Sequence, residues 1–310
     1  MNWIKKGLIF VPPYQKTSMA SHAAIPFVDL IDENNARIYF SSRNKKGQSI
    51  PYYLEVKLNN LNEVDYVNPE PLFDLGELGT FDDNGIMPSC LVTYDNKKYL
   101  YYIGWNPQVT VSYRLSIGLA ISEGASKKFI KYSNGPICDR NLNEPYFNTA
   151  PFVMIDDNLW KMWYVSCTGW EIVNNHPEPR YHIKYAESID GINWVKEGIV
   201  CIDYLDENEA IGRPSIIKEK NRFRMWYSYR KTADYRINKV SGYRIGYAES
   251  SDGKIWERRD HLAGIDVSNN GWDSEMIEYS HVVRIRSKLH MFYNGNGFGK
   301  TGFGYAILEE

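Results

Sequence analysis

Arg213-Pro214-Ser215-Ile216-Ile217, Arg224-Met225-Trp226-Tyr227 and Tyr243-Arg244-Ile245-Gly246-Tyr247-Ala248-Glu249-Ser250 follow one another between Gly212 and Trp256, with Asp252-Gly253 just before the end. Each piece alternates or runs apolar over a strand's length, and turn residues separate the pieces. That is the pattern of four short antiparallel strands joined by hairpins. Variants of the unit recur along the whole chain. The inner proline returns at Pro26, Pro88, Pro151 and Pro214, with Ser280 in its place in the fifth copy, at spacings of 62, 63, 63 and 66 residues. The aromatic that ends the second strand returns at Phe40, Tyr102, Tyr164, Tyr227 and Tyr293, spaced 62, 62, 63 and 66. Two independent markers keep one period, and a period of this length marks stacked supersecondary units.

The two ends of the chain decide how the units close. Trp3-Ile4-Lys5-Lys6-Gly7-Leu8-Ile9 reads like the fourth strand Trp194-Val195-Lys196-Glu197-Gly198-Ile199-Val200, while the last repeat stops after its third strand. The N-terminal strand is therefore expected to complete the last blade and leave no open sheet edge there. The expected fold is all-β: a single five-bladed β-propeller over residues 1–310 with four-stranded blades. Five separate sheets would each be unable to bury their faces alone.

Composition narrows the partners. A net charge of −2 gives no basic footprint for nucleic acid. No apolar run approaches the roughly 20 residues of a membrane span, and the apolar run Gly7 to Val11 is too short for a signal core. The four cysteines, Cys90, Cys138, Cys167 and Cys201, show no metal or CxxC spacing, which is the pattern of free buried thiols in a reducing cytoplasm. Aromatics make up 15% of the chain, suiting stacked sheets first and sugar clefts second.

In a propeller the inner strands start at one mouth of the central channel, so the residues before the proline column are expected to converge there. This gathers Asp83, Glu275, Glu278, His22 and Arg213, with Asp82 alongside. The second strands run back to the same mouth and bring Arg43, Trp105, Trp170, Arg230 and Asn294 to its rim. Two carboxylates across a cleft can cleave or transfer a glycosidic bond, one as acid and one as base or nucleophile. Asp83, Glu275 and Glu278 are the catalytic candidates. His22, Arg43, Asp82, Trp105, Trp170, Arg213, Arg230 and Asn294 are the substrate-binding ones. Arginines beside such a pair suit a phosphate or carboxylate on the sugar. Each residue has a plainer reading: Asp82 and Asp83 can cap a turn, the glutamates can be surface charges, and His22 can be satisfied by Ser21. The Ser-x-Asp-Gly-x-x-Trp turns are read as hairpins. Gly295 to Gly304 match no phosphate loop. No cofactor is expected; oxygen ligands would suffice for Ca²⁺, but no spaced ligand motif supports one.

The five repeats, these Asp-Gly-x-x-Trp hairpins and the second strands Lys161-Met162-Trp163-Tyr164 and Arg224-Met225-Trp226-Tyr227 resemble the five-bladed propellers of glycoside hydrolase families 32, 43, 68, 117 and 130. The resemblance covers essentially the whole chain as architecture. It implies a carbohydrate-active protein, with a place in surface-polysaccharide metabolism. The catalytic motifs depart from the pattern. Family 43 carries aspartates directly before the inner-strand proline, where this chain has Ile25, Met87, Ala150, Arg213 and Tyr279. Only Glu278 matches the offset of that family's acid, and it does so in blade 5. The Asn-Asp-Pro motif of family 32 and the Glu-Asp-Pro-Arg motif of family 130 are absent. The expected function is action on a glycosidic bond, with a saccharide or sugar phosphate as ligand. The alternatives are a glycan- or protein-binding propeller without catalysis, and a glycosyltransferase or phosphorylase on the same scaffold.

Overall fold

The computed structural model describes residues 1–13, 19–124 and 126–309. Its strands form five antiparallel sheets of four. Blade 5 begins and ends the chain: β1 (Asn2–Phe10) is its outer strand, beside β20 (Phe303–Glu309), β19 (Lys288–Asn294) and the inner β18 (Glu278–Ile285). Blade 1 is β2 (Ser21–Leu30), β3 (Asn35–Arg43), β4 (Ser49–Lys57) and β5 (Asn60–Val67). Blade 2 is β6 (Ile86–Tyr94), β7 (Lys97–Pro107), β8 (Tyr113–Glu123) and β9 (Ile130–Lys131). Blade 3 is β10 (Asn148–Asp156), β11 (Leu159–Val173), β12 (His176–Ser188) and β13 (Val200–Ile202). Blade 4 is β14 (Glu209–Glu219), β15 (Arg222–Lys231), β16 (Arg244–Ser250) and β17 (Glu257–Arg258).

The N-terminal strand closes the ring as expected. β1 pairs with β20 from Asn2↔Glu309 to Phe10↔Phe303. Trp3 is buried and meets Trp226 of blade 4 edge-on, ring centroids 5.7 Å apart. The segment after Trp170 is a continuation of the β11–β12 hairpin, paired out to Val173↔His176. All four cysteines are free and buried.

The period marker at the end of each second strand has a physical cause. In four blades it is a tyrosine whose hydroxyl donates to a carboxylate, buried in three of them: Tyr102 to Asp82 at 3.0 Å, Tyr164 to Glu144 at 2.8 Å, Tyr293 to Asp273 at 3.0 Å, and Tyr227 to the partly buried Asp260. A cation from the outer edge of the same blade pairs with that carboxylate. Lys131 reaches Asp82 at 2.7 Å, Lys196 reaches Glu144 at 3.2 Å, Arg258 reaches Asp260 at 2.6 Å, and Lys5 reaches Asp273 at 2.7 Å. Each blade so built carries a lock from its second strand to its fourth. In blade 1 the marker is Phe40, which has no hydroxyl to donate. The third-strand glycines make room for the rings: a Cβ on Gly118 would stand 2.2 Å from Tyr102, and one on Gly246 2.5 Å from Tyr227.

The inner strands all break register at the proline column, between Ala24 and Phe27, Pro88 and Cys90, Thr149 and Phe152, Gly212 and Ser215, and Glu278 and His281. Ile25, Ala150, Arg213 and Tyr279 sit there with φ of 55°, 45°, 45° and 55°. Left-handed backbone at a residue with a Cβ costs about 1–3 kcal/mol. A bulge bends its strand and re-aims one side chain. In blades 1, 3, 4 and 5 it turns the residue before the column toward the axis, whereas Met87 of blade 2 keeps its pairing with Ile103.

Candidate ligand site in the axial cavity

A cavity of about 150 Å³ lies at the channel mouth. At about 10–15 Å³ per water on this measure it holds roughly ten waters, enough for a sugar ring. The five residues preceding the proline column, Ile25, Met87, Ala150, Arg213 and Tyr279, all line it. Every blade thus delivers one residue, four of them through a left-handed bulge residue, as the convergence argument anticipates. Of the second-strand ends, Arg43 and Trp105 reach the lining.

The wall is aromatic and basic. Tyr113, Tyr181, Tyr235, Tyr243 and Tyr279 all face the cavity, and among the described residues no Asp or Glu lines it. Trp105 packs on Tyr113 with centroids 4.5 Å apart, and its Nε1–H donates to Met87 Sδ at 3.0 Å, which fixes the indole plane. Tyr181 and Tyr243 hydroxyls share a hydrogen bond of 2.5 Å.

Three arginines supply the charge. Arg213 is buried and spans the channel, donating from Nη1 to Tyr279 O at 3.0 Å and from Nη2 to Ser89 O at 2.9 Å. Burial lowers it to about 10, so it stays charged at pH 7 without a carboxylate partner. Arg236 donates from Nε to the buried Glu178 at 3.1 Å. Arg43 is half-buried, and among the described residues its guanidinium makes neither an ion pair nor a hydrogen bond. Burial lowers its pKa, and an arginine remains charged regardless. A desolvated guanidinium without a partner carries an unmet cost, which a bound anion would relieve. His22 also lines the cavity, with Nδ1 2.8 Å from Ser21 Oγ. Burial, then the nearby Arg43 and Lys300, lower it to about 4, so it is neutral at pH 7.

The remaining candidates lie elsewhere. Asp82 is the buried member of the blade 2 lock, held by Tyr102, Thr80 and Lys131, and does not reach the cavity. Asp83 stands in the turn before β6. Its two oxygens accept from Gly79 N at 2.9 Å and Asn106 Nδ2 at 3.0 Å, which is the turn-capping role. Glu275 is half-exposed and pairs with Lys239 at 3.2 Å. Trp170 backs the lining through Tyr113 and Phe147, at 5.3 and 5.9 Å. Arg230 is fully buried behind the tyrosines, donating to Tyr181 and Tyr243 and stacked 3.7 Å from the centroid of Tyr235. Asn294 ties blade 5 to blade 1, accepting from Ile25 N at 2.8 Å and donating to Glu278 at 3.3 Å. Glu278 is fully buried one residue behind Tyr279, and its Oε2 has no partner. Burial pushes it up to about 8 against the pull of Asn294, Arg230, Arg43 and Arg236, so it is mostly protonated at pH 7.

Tyr113, Tyr181, Tyr235, Tyr243 and Arg236 were not anticipated. A signal for three of them exists in Tyr113-Arg114-Leu115, Tyr181-His182-Ile183 and Tyr243-Arg244-Ile245, a tyrosine-basic-aliphatic triplet repeating near the start of three third strands. Tyr235, Arg236 and Phe298 come from irregular connections that carry no period. Among the described residues no cluster of three His, Cys, Asp or Glu side chains stands ready to hold a metal. No helix is long and apolar enough to cross a membrane.

No protein-family model matches the chain. It is 37% identical to "Uncharacterized protein Rv1502" of Mycobacterium tuberculosis strain H37Rv over 311 residues, covering 100% of both chains. "Uncharacterized protein MT1551" of strain CDC 1551 matches at the same identity and coverage. Among solved structures, a glycoside hydrolase superimposes with a TM-score of 0.74 at 18% identity, over 98% of this chain and 90% of its own. A thermostable family-43 glycoside hydrolase gives 0.65 at 18%, over 94% and 90%. A structure titled for the family of mannoside phosphorylases that contains hydrolases of β-1,2 mannosidic linkages in Candida mannan gives 0.71 at 16%, over 99% and 94%. At such identities the likeness is one of fold.

Proposed function

This chain belongs to the family of the two Mycobacterium tuberculosis proteins, and for it we propose a carbohydrate-active function in which the axial cavity takes an anionic saccharide. One observation carries the reading: Arg43 presents an unpaired, half-buried guanidinium to a cavity walled by tyrosine and tryptophan rings and lined by no carboxylate. Aromatic faces accept the apolar face of a sugar, and a guanidinium takes phosphate or carboxylate bidentately. The glycosidase-type propeller fold supports the same ligand class. A melting-temperature screen tests it. Sugars bearing phosphate or carboxylate are expected to stabilise the protein and neutral sugars much less, with the shift lost in Arg43→Gln. Equal shifts with neutral sugars, or shifts that survive Arg43→Gln, would overturn it.

Glu278 favours a catalytic form of this reading. A carboxyl held neutral at pH 7, with one oxygen free of partners, has the character of a general acid for a leaving glycosidic oxygen. Asp83, Glu275 and Glu278 all stand outside the lining, but Glu278 directly precedes the lining residue Tyr279, so the chemistry proposed here rests on Glu278 reaching the cavity past that tyrosine, with the anion held by Arg43. Transfer to or from phosphate fits a basic cavity better than hydrolysis by a pair of carboxylates. Product analysis with the ligand found in the screen decides the point: turnover in the wild type and none in Glu278→Gln is expected. Binding without product in the wild type would leave a binding propeller.

A further inference from the structure

The site has two chambers. Beside the axial cavity opens a second one of about 250 Å³, and Arg43, Ser49, Trp105 and Tyr113 border both. The inner chamber is ringed by aromatics. The outer one is finished by Gly47, Asn84, Pro107 and Ser112, which come from the turns at the ends of β3, β6 and β7. Trp105, pinned by Met87 and Tyr113, forms part of the partition. The free guanidinium of Arg43 belongs to the same shared wall.

This placement says where the charge on the ligand must be. An anion bound by Arg43 has open space on both sides. A phosphomonoester ends at its charged group and would leave the outer chamber to water. A phosphodiester continues through it. Charge admits both: a diester carries a single negative charge and a monoester about −1.5 to −2 at pH 7, and Arg43 and Arg213 both line the cavity without a carboxylate partner, so the open space on the far side of Arg43 makes the distinction.

Resting on the anionic-saccharide reading above, we propose that the ligand is a sugar phosphodiester. Its sugar occupies the inner chamber, its phosphate meets Arg43, and a second polar group fills the outer chamber. The second group can come from a glycerol-type polysaccharide linkage, which is a simple phosphodiester, or from the nucleoside phosphate of a nucleotide sugar, whose diphosphate carries two charges.

Calorimetric titration of the intact protein tests this with gluco-, galacto- and manno-configured hexose 1-phosphates, their glycerol diesters and the matching uridine diphosphate hexoses. At least one diester series is expected to bind tenfold or more tighter than its monoester, and which series does so identifies the source. Ser112→Trp places a bulky ring in the outer chamber from an exposed position. It should weaken the diester at least tenfold and leave the monoester within twofold, as should Asn84→Trp, with melting temperatures confirming both folds. Monoesters binding as tightly as diesters, or an occluding variant that weakens both alike, would overturn the two-chamber ligand while leaving the anionic saccharide in place. Binding of neutral sugars only would overturn that reading, and this inference with it.

Discussion

Arg43 and Glu278 are charged by sequence and opposite by environment. Arg43 keeps its charge and lacks a partner; Glu278 is pushed up to about 8 by burial and is neutral at pH 7. The sign of the pH effect follows. A carboxyl whose folded pKa is raised from 4.5 contributes stability that is fully present below about pH 4.5 and is lost as pH rises through about 8. Glu278→Gln keeps the shape and cannot ionise. Between pH 5 and pH 8.5 the wild type is expected to lose melting temperature relative to this variant; parallel curves would show that Glu278 does not titrate in that window. Asp82 makes a contrasting prediction. Breaking a buried ion pair by removing one partner costs about 3–5 kcal/mol, less where the survivor reaches water as Lys131 does. Asp82→Ala should therefore lower stability in denaturant titration and leave saccharide affinity unchanged. A selective loss of binding would return Asp82 to the ligand site.

At the scale of elements, the blades were legible because each strand obeys a local rule that repeats. The second-strand aromatic follows from contacts within one blade, and the Asp-Gly-x-x-Trp hairpin from the same contact made to each preceding blade, Tyr101 donating to Gly191 O and Trp163 to Gly253 O. The closing strand was legible for the same reason, and it makes a stability prediction. Trp3 packs on Trp226 across the blade 5–blade 4 contact, and a buried Trp→Ala change costs about 3–5 kcal/mol. Trp3→Ala should lower the unfolding midpoint accordingly, and a loss under 1 kcal/mol would show that β1 does little to hold the ring shut. The site was legible only where it shares the period. The residues before the proline column were placed at the cavity because every inner strand starts at the same channel mouth. Asp83 and Glu275 were drawn in by counting back further, but the inner strands begin only at Ile86 and Glu278, so those residues lie in turns that point elsewhere. Arg236 and Phe298 escaped notice because irregular connections obey no repeat. Asp82 misled because a carboxylate in a lock and one in an active site look the same in sequence.

For the whole molecule, the ring makes one axial site from five blades, and its walls depend on closure. Arg213 alone joins three of them, from β14 to carbonyls beside β6 and β18. The site is basic in a chain whose net charge is −2, so the charge that matters is local and concentrated by the surrounding apolar rings. Among the described residues this basic lining holds no carboxylate, while the fold is that of the glycosidase-type propellers. The most direct test is a crystal structure of the protein with the phosphorylated saccharide that raises its melting temperature most. The anion is predicted within hydrogen-bond distance of the Arg43 guanidinium, with the sugar ring among Tyr113, Tyr181 and Tyr243. A ligand bound on the blade exteriors, or one in the cavity with its anion turned away from Arg43, would contradict the central claim.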